Sequence, residues 1–167
     1  LLMTGEGGPG VQTYTEGQLL AALESGELPV HHYDALVVGS GCAAFNAADC
    51  LFDEGVTNIA MVTEGVNTGT SRNSGADKQT YYKLSLASSE PDSVRDMAGT
   101  LFGGGCVHGD TALVEAALSA RCFFKLVQLG VPFPHAAYGQ YVGYKTDHDP
   151  KQRATSCGPL TSHYMTE

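Results

Sequence analysis

One stretch, YDALVVGSGCAAFNAADCL at positions 33–51, restricts the possible folds more than any other part of the sequence. Its apolar run at 36–38 is typical of a strand in a parallel sheet that is covered on both faces. A glycine-serine-glycine turn follows, and small apolar residues then recur at helical spacing from Ala44 to Leu51. The segment NIAMVTE at 58–64 indicates a second buried strand. This order predicts a strand-helix-strand unit whose two strands are parallel neighbours.

The glycine turn carries a pattern with a chemical meaning. Gly39, Gly41 and Ala44 match G-x-G-x-x-G/A between a strand and a helix, the context in which this motif binds a dinucleotide. The first glycine permits a tight turn, the second lets a pyrophosphate approach the backbone, and the alanine lets the helix lie close to the sheet. Glu64 ends the second predicted strand, where a carboxylate can accept hydrogen bonds from ribose hydroxyls and an acid argues against a 2'-phosphate. The residues therefore predict a dinucleotide site, while their spacing does not separate FAD from NAD.

Charge and composition exclude other classes of protein. The 167 residues carry a net charge of -9, with 18 acidic against 9 basic residues, so the electrostatic footprint of a nucleic-acid-binding protein is missing. No apolar run is long enough to cross a bilayer, and the first residues lack the pattern of a signal peptide. We therefore expect a cytoplasmic protein without a membrane span. The five cysteines have no C-x-x-C spacing, so neither a zinc site nor a disulfide framework is predicted.

The segments on either side of this unit give coarser predictions. Thr15, with Gln18 three residues later, forms a capping box for a short helix, so residues 1–32 are interpreted as an N-terminal extension with one helix. Residues 65–90 are rich in Gly, Ser, Thr and Asn and are predicted to be a long loop. A short helix is expected around 91–101, with the proline at 91 in its first turn.

A longer helix is predicted to follow Asp110 as its N-cap and to stop at Gly130. Its buried stripe is expected to consist of five apolar residues at helical spacing: Leu113, Ala117, Ala120, Phe124 and Val127. The charged run KTDHDPKQR at 145–153 is interpreted as solvated surface rather than as a proton relay or a clamp for a substrate carboxylate.

Together these segments resemble the N-terminal part of the flavoprotein subunit of succinate dehydrogenases and fumarate reductases, whose relatives include L-aspartate oxidase. The resemblance runs from about Tyr33 to the end of the chain. It rests on VVGSGCAAFNAA, on the strand end at Glu64 followed by GVNTGTSRNSG, on HGDTALVEAALSARCFFKLVQLGVPF, and on QRATSCGPLTSHYM. It implies an α/β fold class with a Rossmann-like FAD-binding domain, a βαβ parallel sheet with helices, of which residues 33–167 would form an incomplete N-terminal portion.

The resemblance also implies which residues would hold FAD. Five residues would surround the pyrophosphate: Gly39, Ser40, Gly41, Ala43 and Ala44. Glu64, followed by Gly65, would lie at the ribose. Five more would lie along the pyrophosphate and the ribityl chain toward the flavin ring: Thr70, Ser71, Asn73, Ser74 and Gly75. Hydroxyl and amide donors suit this task because they neutralise phosphate charge without bulk.

Two departures from the family pattern change what is expected of this chain. No His lies between His32 and His108, so the His that attaches the flavin covalently in respiratory members is missing, and FAD is expected to bind noncovalently. The chain also stops before the family's capping domain and its catalytic Arg and His residues. We therefore expect additional residues or a second polypeptide to supply the remainder of the flavoprotein, and no catalytic residue is assigned.

The implied activity is that of an FAD-dependent oxidoreductase of the fumarate reductase/succinate dehydrogenase type. In that chemistry hydride passes between flavin N5 and a carbon beside a carboxylate or a similar electron-withdrawing group. The expected substrate is a small molecule such as an unsaturated carboxylate. Two alternatives remain open at this point: an NAD-dependent dehydrogenase with a similar strand-helix-strand start, and a noncatalytic nucleotide-binding or assembly module.

Overall fold

The computed structural model describes residues 14–65, 67–73 and 79–167. The chain divides into two compact units, with the boundary between Thr68 and Gly69. Within the described ranges, no helix combines the length and the apolarity that a membrane span requires.

The first unit contains one helix followed by a strand-helix-strand unit. Its elements are α1 (Glu16–Glu24), β1 (Ala35–Val38), α2 (Cys42–Asp53) and β2 (Ile59–Val62). The predicted capping box of α1 is confirmed, because Thr15 Oγ1 accepts from the Gln18 amide at 3.4 Å and Gln18 Oε1 accepts from the Thr15 amide at 2.9 Å. β1 and β2 pair in parallel, with Ala35 opposite Ile59. The predicted α/β fold class with a parallel βαβ unit is therefore confirmed.

The two-stranded parallel sheet has one face that the described residues leave open. α2 contacts both strands. Leu36, Val38 and Val62 lie on the same side of the sheet, because residues two apart in a strand and paired residues share a face. Their exposed fractions are 60%, 79% and 52%. The apolar run at 36–38 predicts cover on both faces, so part of that cover is not supplied by the described residues.

The second unit combines a three-stranded antiparallel sheet with helices. Its described elements are α3 (Thr70–Asn73), β3 (Tyr81–Tyr82), α4 (Val94–Gly103), α5 (Gly109–Gln128), β4 (Tyr144–Thr146), β5 (Asp149–Thr155) and α6 (Thr161–Tyr164). The strand order is β3-β5-β4, and both pairings are antiparallel. β3 has two residues inside the expected loop, and β4 and β5 form a hairpin that includes most of the charged run at 145–153.

Helices α4 and α5 begin at other residues than predicted. α4 begins at Val94, where Ser93 Oγ accepts a hydrogen bond from the Asp96 amide at 3.0 Å, so the proline at 91 precedes the helix. α5 begins at Gly109, and Asp110 lies in its first turn rather than at the N-cap.

The buried face of α5 is displaced by one position along the sequence from the predicted stripe. The residues that are buried are Ala112, Ala116, Ser119 and Phe123. The small alanines of this face pack with Met97 and Ala98 of α4, whereas Leu113, Ala117 and Phe124 are exposed. The predicted stripe is wrong because α5 is apolar on two faces, and the face with the smaller side chains is the one that lies against α4.

Aromatic rings form a second core in this unit, around Phe123. The centroid of its ring lies 4.7 Å from that of Phe133 and 5.1 Å from that of Tyr141. The fully buried Lys83 reaches this cluster: Nζ donates to the Tyr141 carbonyl oxygen at 3.1 Å and lies 5.1 Å from the centroid of the Phe123 ring. Burial lowers the pKa of the Lys83 ammonium, because desolvation penalises its charged form.

The charged run at 145–153 is partly buried, so its interpretation as solvated surface is wrong for two of its residues, Asp149 and Arg153. The Arg153 side chain is fully buried, and its Nη2 and Nε donate to the two carboxylate oxygens of Asp92 at 2.6 and 2.8 Å. Nη1 donates to Asp149 at 3.2 Å and to Thr100 Oγ1 at 3.0 Å. Burial acts to raise the pKa of Asp92, but the hydrogen bonds from Arg153 and from backbone amides outweigh it and hold that pKa below its usual value.

Candidate cofactor-binding site

The predicted glycine turn joins β1 to α2, and its first position requires glycine. Gly39 has a φ of +115°, in the left-handed region that L side chains rarely adopt. Its amide donates to the Val62 carbonyl oxygen at 2.7 Å, which ties the start of the turn to the end of β2. A Cβ at Gly39 would lie 3.8 Å from that of Ala44, so the turn is in contact with the first turn of α2.

The N-terminus of α2 is built to leave backbone amides available to an anion. Gly41 is the N-cap, with extended backbone at φ -84° and ψ 175°, and its carbonyl accepts from the Phe45 amide at 3.0 Å. Because Gly41 has no side chain, it cannot cap the amides of Ala43 and Ala44 as Ser or Asp would. The first turn also contains no acidic residue. An anion such as a pyrophosphate can therefore accept hydrogen bonds here and be stabilised by the positive end of the helix dipole.

Ser40 holds the turn against the segment that follows β2. Its Oγ lies 2.9 Å from Thr63 Oγ1, within hydrogen-bond distance. Thr63 Oγ1 also donates to the Gly65 carbonyl oxygen at 3.5 Å. Thr63 is not among the predicted site residues, although its position directly before Glu64 gives a signal, since residues that end neighbouring parallel strands meet at one edge of the sheet.

Glu64 follows β2 by two residues, and its side chain is exposed. An exposed carboxylate at this edge can accept hydrogen bonds from ribose hydroxyls. The next residue, Gly65, closes a local turn, because its carbonyl oxygen accepts from Thr68 Oγ1 at 2.7 Å and from the Thr68 amide at 3.3 Å. The first unit thus contains the predicted site residues from Gly39 to Gly65.

The other predicted site residues belong to the second unit. Thr70, Ser71 and Asn73 lie in α3. The Asn73 amide and Nδ2 both donate to the Gly69 carbonyl oxygen, at 3.2 and 3.1 Å. Ser74 and Gly75 lie outside the described residues. The predicted residues offer backbone amides, hydroxyls and a carboxylate, and no group of three or more His, Cys, Asp or Glu in the described part of the chain is arranged to hold a metal ion.

The sequence matches the family described as FAD binding domain over residues 34–165. This range includes β1, the glycine turn, α2 and every predicted site residue. The chain belongs to this family, and its cofactor is FAD. Nothing in the comparisons supports the NAD-dependent alternative.

Solved structures share the fold of this chain. A structure of the Mycobacterium smegmatis Sdh1 complex in the apo form aligns with a TM-score of 0.70 at 19% identity, covering 81% of this chain and 23% of that chain. The structure of M. smegmatis Sdh1 in complex with UQ1 aligns at 0.67 and 18% identity, covering 81% and 22%. E. coli quinol fumarate reductase with a FrdA mutation aligns at 0.65 and 17% identity, covering 80% and 23%. The chain spans less than a quarter of these chains, and no curated protein matches its sequence.

Proposed function

We propose that this chain forms the FAD pyrophosphate- and ribose-binding part of a flavoprotein oxidoreductase of the fumarate reductase/succinate dehydrogenase type. The observation that carries the proposal is the turn between β1 and α2: Gly39 adopts a left-handed conformation, and Gly41 begins a helix whose first turn has neither a capping side chain from Gly41 nor an acidic residue. This arrangement occurs in a chain that belongs to an FAD-binding family. Its backbone amides and helix dipole suit the two phosphates of FAD.

Each predicted site residue has a role in this proposal. The residues proposed to surround the pyrophosphate are Gly39, Ser40, Gly41, Ala43 and Ala44. Glu64 accepts from the ribose hydroxyls, with Gly65 beside it. The residues proposed to extend toward the flavin are Thr70, Ser71, Asn73, Ser74 and Gly75. The Ser40 contact to Thr63 supports this arrangement, because it fixes the turn to the segment that leads to Glu64.

FAD, when bound, supplies two-electron transfer chemistry, while the chain's own residues bind and orient it. Attachment is proposed to be noncovalent, since the sequence has no His between His32 and His108. The substrate is proposed to be a small molecule such as an unsaturated carboxylate. The protein is proposed to act in the cytoplasm, because the exposed free thiols of Cys106 and Cys122 suit a reducing compartment.

The remainder of the flavoprotein, as additional residues or a second chain, is the proposed partner. The open face of the β1-β2 sheet supports this, because Leu36, Val38 and Val62 present a contiguous apolar surface there. Parallel sheets are normally covered on both faces. A further layer of protein on this side would complete the cover.

The proposal is tested by identifying the cofactor in the purified full-length protein. We expect flavin absorbance, and release of intact FAD on denaturation without proteolysis. Gly41→Val should abolish FAD retention, because a branched side chain would occupy the space of the pyrophosphate. The matched control is Gly99→Val, at an exposed position of α4 where an added Cβ meets nothing within 4 Å.

Three results would count against parts of the proposal. Full flavin occupancy in Gly41→Val would show that the turn between β1 and α2 does not bind the pyrophosphate of FAD. Flavin that stays attached to the denatured polypeptide would contradict noncovalent binding. Bound FAD without any electron-acceptor activity, in the complete assembly as well as alone, would favour a noncatalytic module.

A further inference from the structure

Arg72 connects α3 to α6 within the second unit. Its Nη2 lies 3.3 Å from His163 Nε2, and its Nη1 donates to Thr166 Oγ1 at 3.4 Å. Thr166 is buried, and its own hydroxyl donates to the Ser162 carbonyl oxygen at 3.0 Å, which leaves the oxygen to accept from Arg72. The guanidinium therefore binds two residues at the C-terminal side of α6.

Gln79 binds the other end of the same short helix. Its Oε1 accepts a hydrogen bond from the Ser162 amide at 2.7 Å. Ser162 lies in the first turn of α6, whose N-cap, Leu160, has no side chain that could accept from it, so Gln79 satisfies an amide that the helix leaves open. Gln79 has a φ of +44°, a conformation that non-glycine residues rarely adopt. Such a conformation persists only where surrounding contacts determine it.

Helix α6 is itself fixed to the core of the unit. Thr161 is fully buried, and its hydroxyl accepts from the Cys157 amide at 2.8 Å and donates to the Gly158 carbonyl oxygen at 2.8 Å. Met165, directly after the helix, packs against the aromatic core around Phe123. Groups that bind α6 are therefore held by the packed part of the unit.

We propose that α6 is the support that fixes α3 for cofactor binding, with Arg72 and Gln79 as positioning residues. The inference rests on the proposed function, in which Thr70, Ser71 and Asn73 of α3 lie along FAD. Neither Arg72 nor Gln79 is assigned a contact with FAD; each acts through α6. Loss of the Arg72 contacts frees α3 directly, whereas loss of the Gln79 bond loosens the first turn of α6, the helix to which Arg72 binds. In either case FAD must select the competent conformation of α3, which raises its apparent dissociation constant.

The test uses the full-length flavoprotein, stripped of flavin and titrated with FAD while flavin fluorescence is followed. Gln79→Ala removes the acceptor for the Ser162 amide and should raise the Kd for FAD about five- to tenfold, the effect of one lost hydrogen bond. Gln79→Glu keeps an acceptor and should restore nearly wild-type affinity. The matched control is Gln152→Ala, which removes a single bond from the same residue type to the Gly143 carbonyl oxygen, in the hairpin of the same unit.

Thermal unfolding of the flavin-free variants separates positioning from general stability. We expect both alanine variants to lose some stability while only the Gln79 variant binds FAD more weakly. Wild-type affinity in Gln79→Ala, or an equal loss in both variants, would overturn the inference. If Gln79→Ala does not fold, Arg72→Lys provides the test, because it keeps the positive charge but loses the two-point contact with His163 and Thr166. The Kd for FAD should then rise, and an unchanged Kd would overturn the inference. A wild-type protein that binds no FAD would overturn the proposed function and this inference with it.

Discussion

Replacing Asp92 by alanine should measure how strongly the buried ion cluster stabilises the second unit. The change removes two charge-assisted hydrogen bonds of 2.6 and 2.8 Å from a guanidinium that is fully buried. It also removes the acceptor of the Ser85 amide at 3.1 Å. Arg153 keeps Asp149 and Thr100, which compensate part of its charge and polarity. Removing one partner of a buried ion pair costs about 3–5 kcal/mol. Because Asp149 and Thr100 still bind Arg153, we expect Asp92→Ala to lower the free energy of unfolding by about 3 kcal/mol.

The assay is urea unfolding followed by circular dichroism, with the free energy of unfolding compared between variants. The control is Glu90→Ala, two residues away, which breaks the 2.7 Å ion pair with Lys145. Both partners of that pair are about half exposed, so solvent already screens the interaction and the control should match the wild type within error. Equal effects of the two variants would refute the reasoning, because burial would then not decide the energy of these ion pairs.

The same cluster makes a prediction about pH. The pKa of Asp92 is lower in the folded protein than its ordinary value of 3.8, so the unfolded chain binds more protons between these two pKa values. The stabilisation by Asp92 is therefore fully present above the unfolded pKa and is lost as pH falls through the folded pKa. The stability difference between wild type and Asp92→Asn should shrink as pH drops below about 4. A difference that stays constant to lower pH would contradict this assignment.

Three further substitutions test other features of the second unit by the same urea assay. Lys83→Met removes a desolvated charge together with its 3.1 Å hydrogen bond to the Tyr141 carbonyl oxygen. The variant should lack the wild-type rise in the free energy of unfolding as pH climbs from the lowered Lys83 pKa toward the unfolded value of 10.5. Ser85→Ala should be neutral or stabilising by up to about 1 kcal/mol, since within the described residues the buried Ser85 hydroxyl has no hydrogen-bond partner. Gly143→Ala should cost at least about 2 kcal/mol, because the new Cβ would overlap the Gln152 carbonyl oxygen and lie 2.7 Å from that of Ala154.

The parallel βαβ unit could be predicted because its signals are local. An apolar run, a left-handed glycine and an alanine-rich helix follow one another within residues 35–53, and each signal concerns its own backbone or its neighbours. The capping box of α1 is local in the same way, since Thr15 and Gln18 contact each other directly. For this capping box, sequence and structure agree.

The hairpin and the buried charges could not be predicted because their contacts are distant in sequence. The buried Arg153 donates its two shortest hydrogen bonds to the carboxylate of Asp92, 61 residues earlier. Tyr81 is in the sheet because it pairs with Thr155, and its phenol donates to the Ser119 carbonyl oxygen at 3.3 Å. A charged run that looks solvated gives no local sign of a partner so far away. The positioning role proposed for Gln79 is hidden from the sequence for the same reason.

Each of the two units exposes apolar residues on an element whose sequence is typical of burial on both faces. A helix that is apolar on two faces is typical of a helix buried on both, and α5 exposes Leu113, Leu118 and Phe124 on the side away from its small buried residues. In the other unit, Leu36 and Val38 are exposed on a strand whose apolar run is typical of cover on both faces. Scattered exposed apolar residues are ordinary in proteins, but here Leu113 and Phe124 share one face of a helix, and Leu36 and Val38 share one face of a strand. Periodic apolar exposure arises where an element packs against another layer, so both units independently support the proposal that further polypeptide of the flavoprotein covers them.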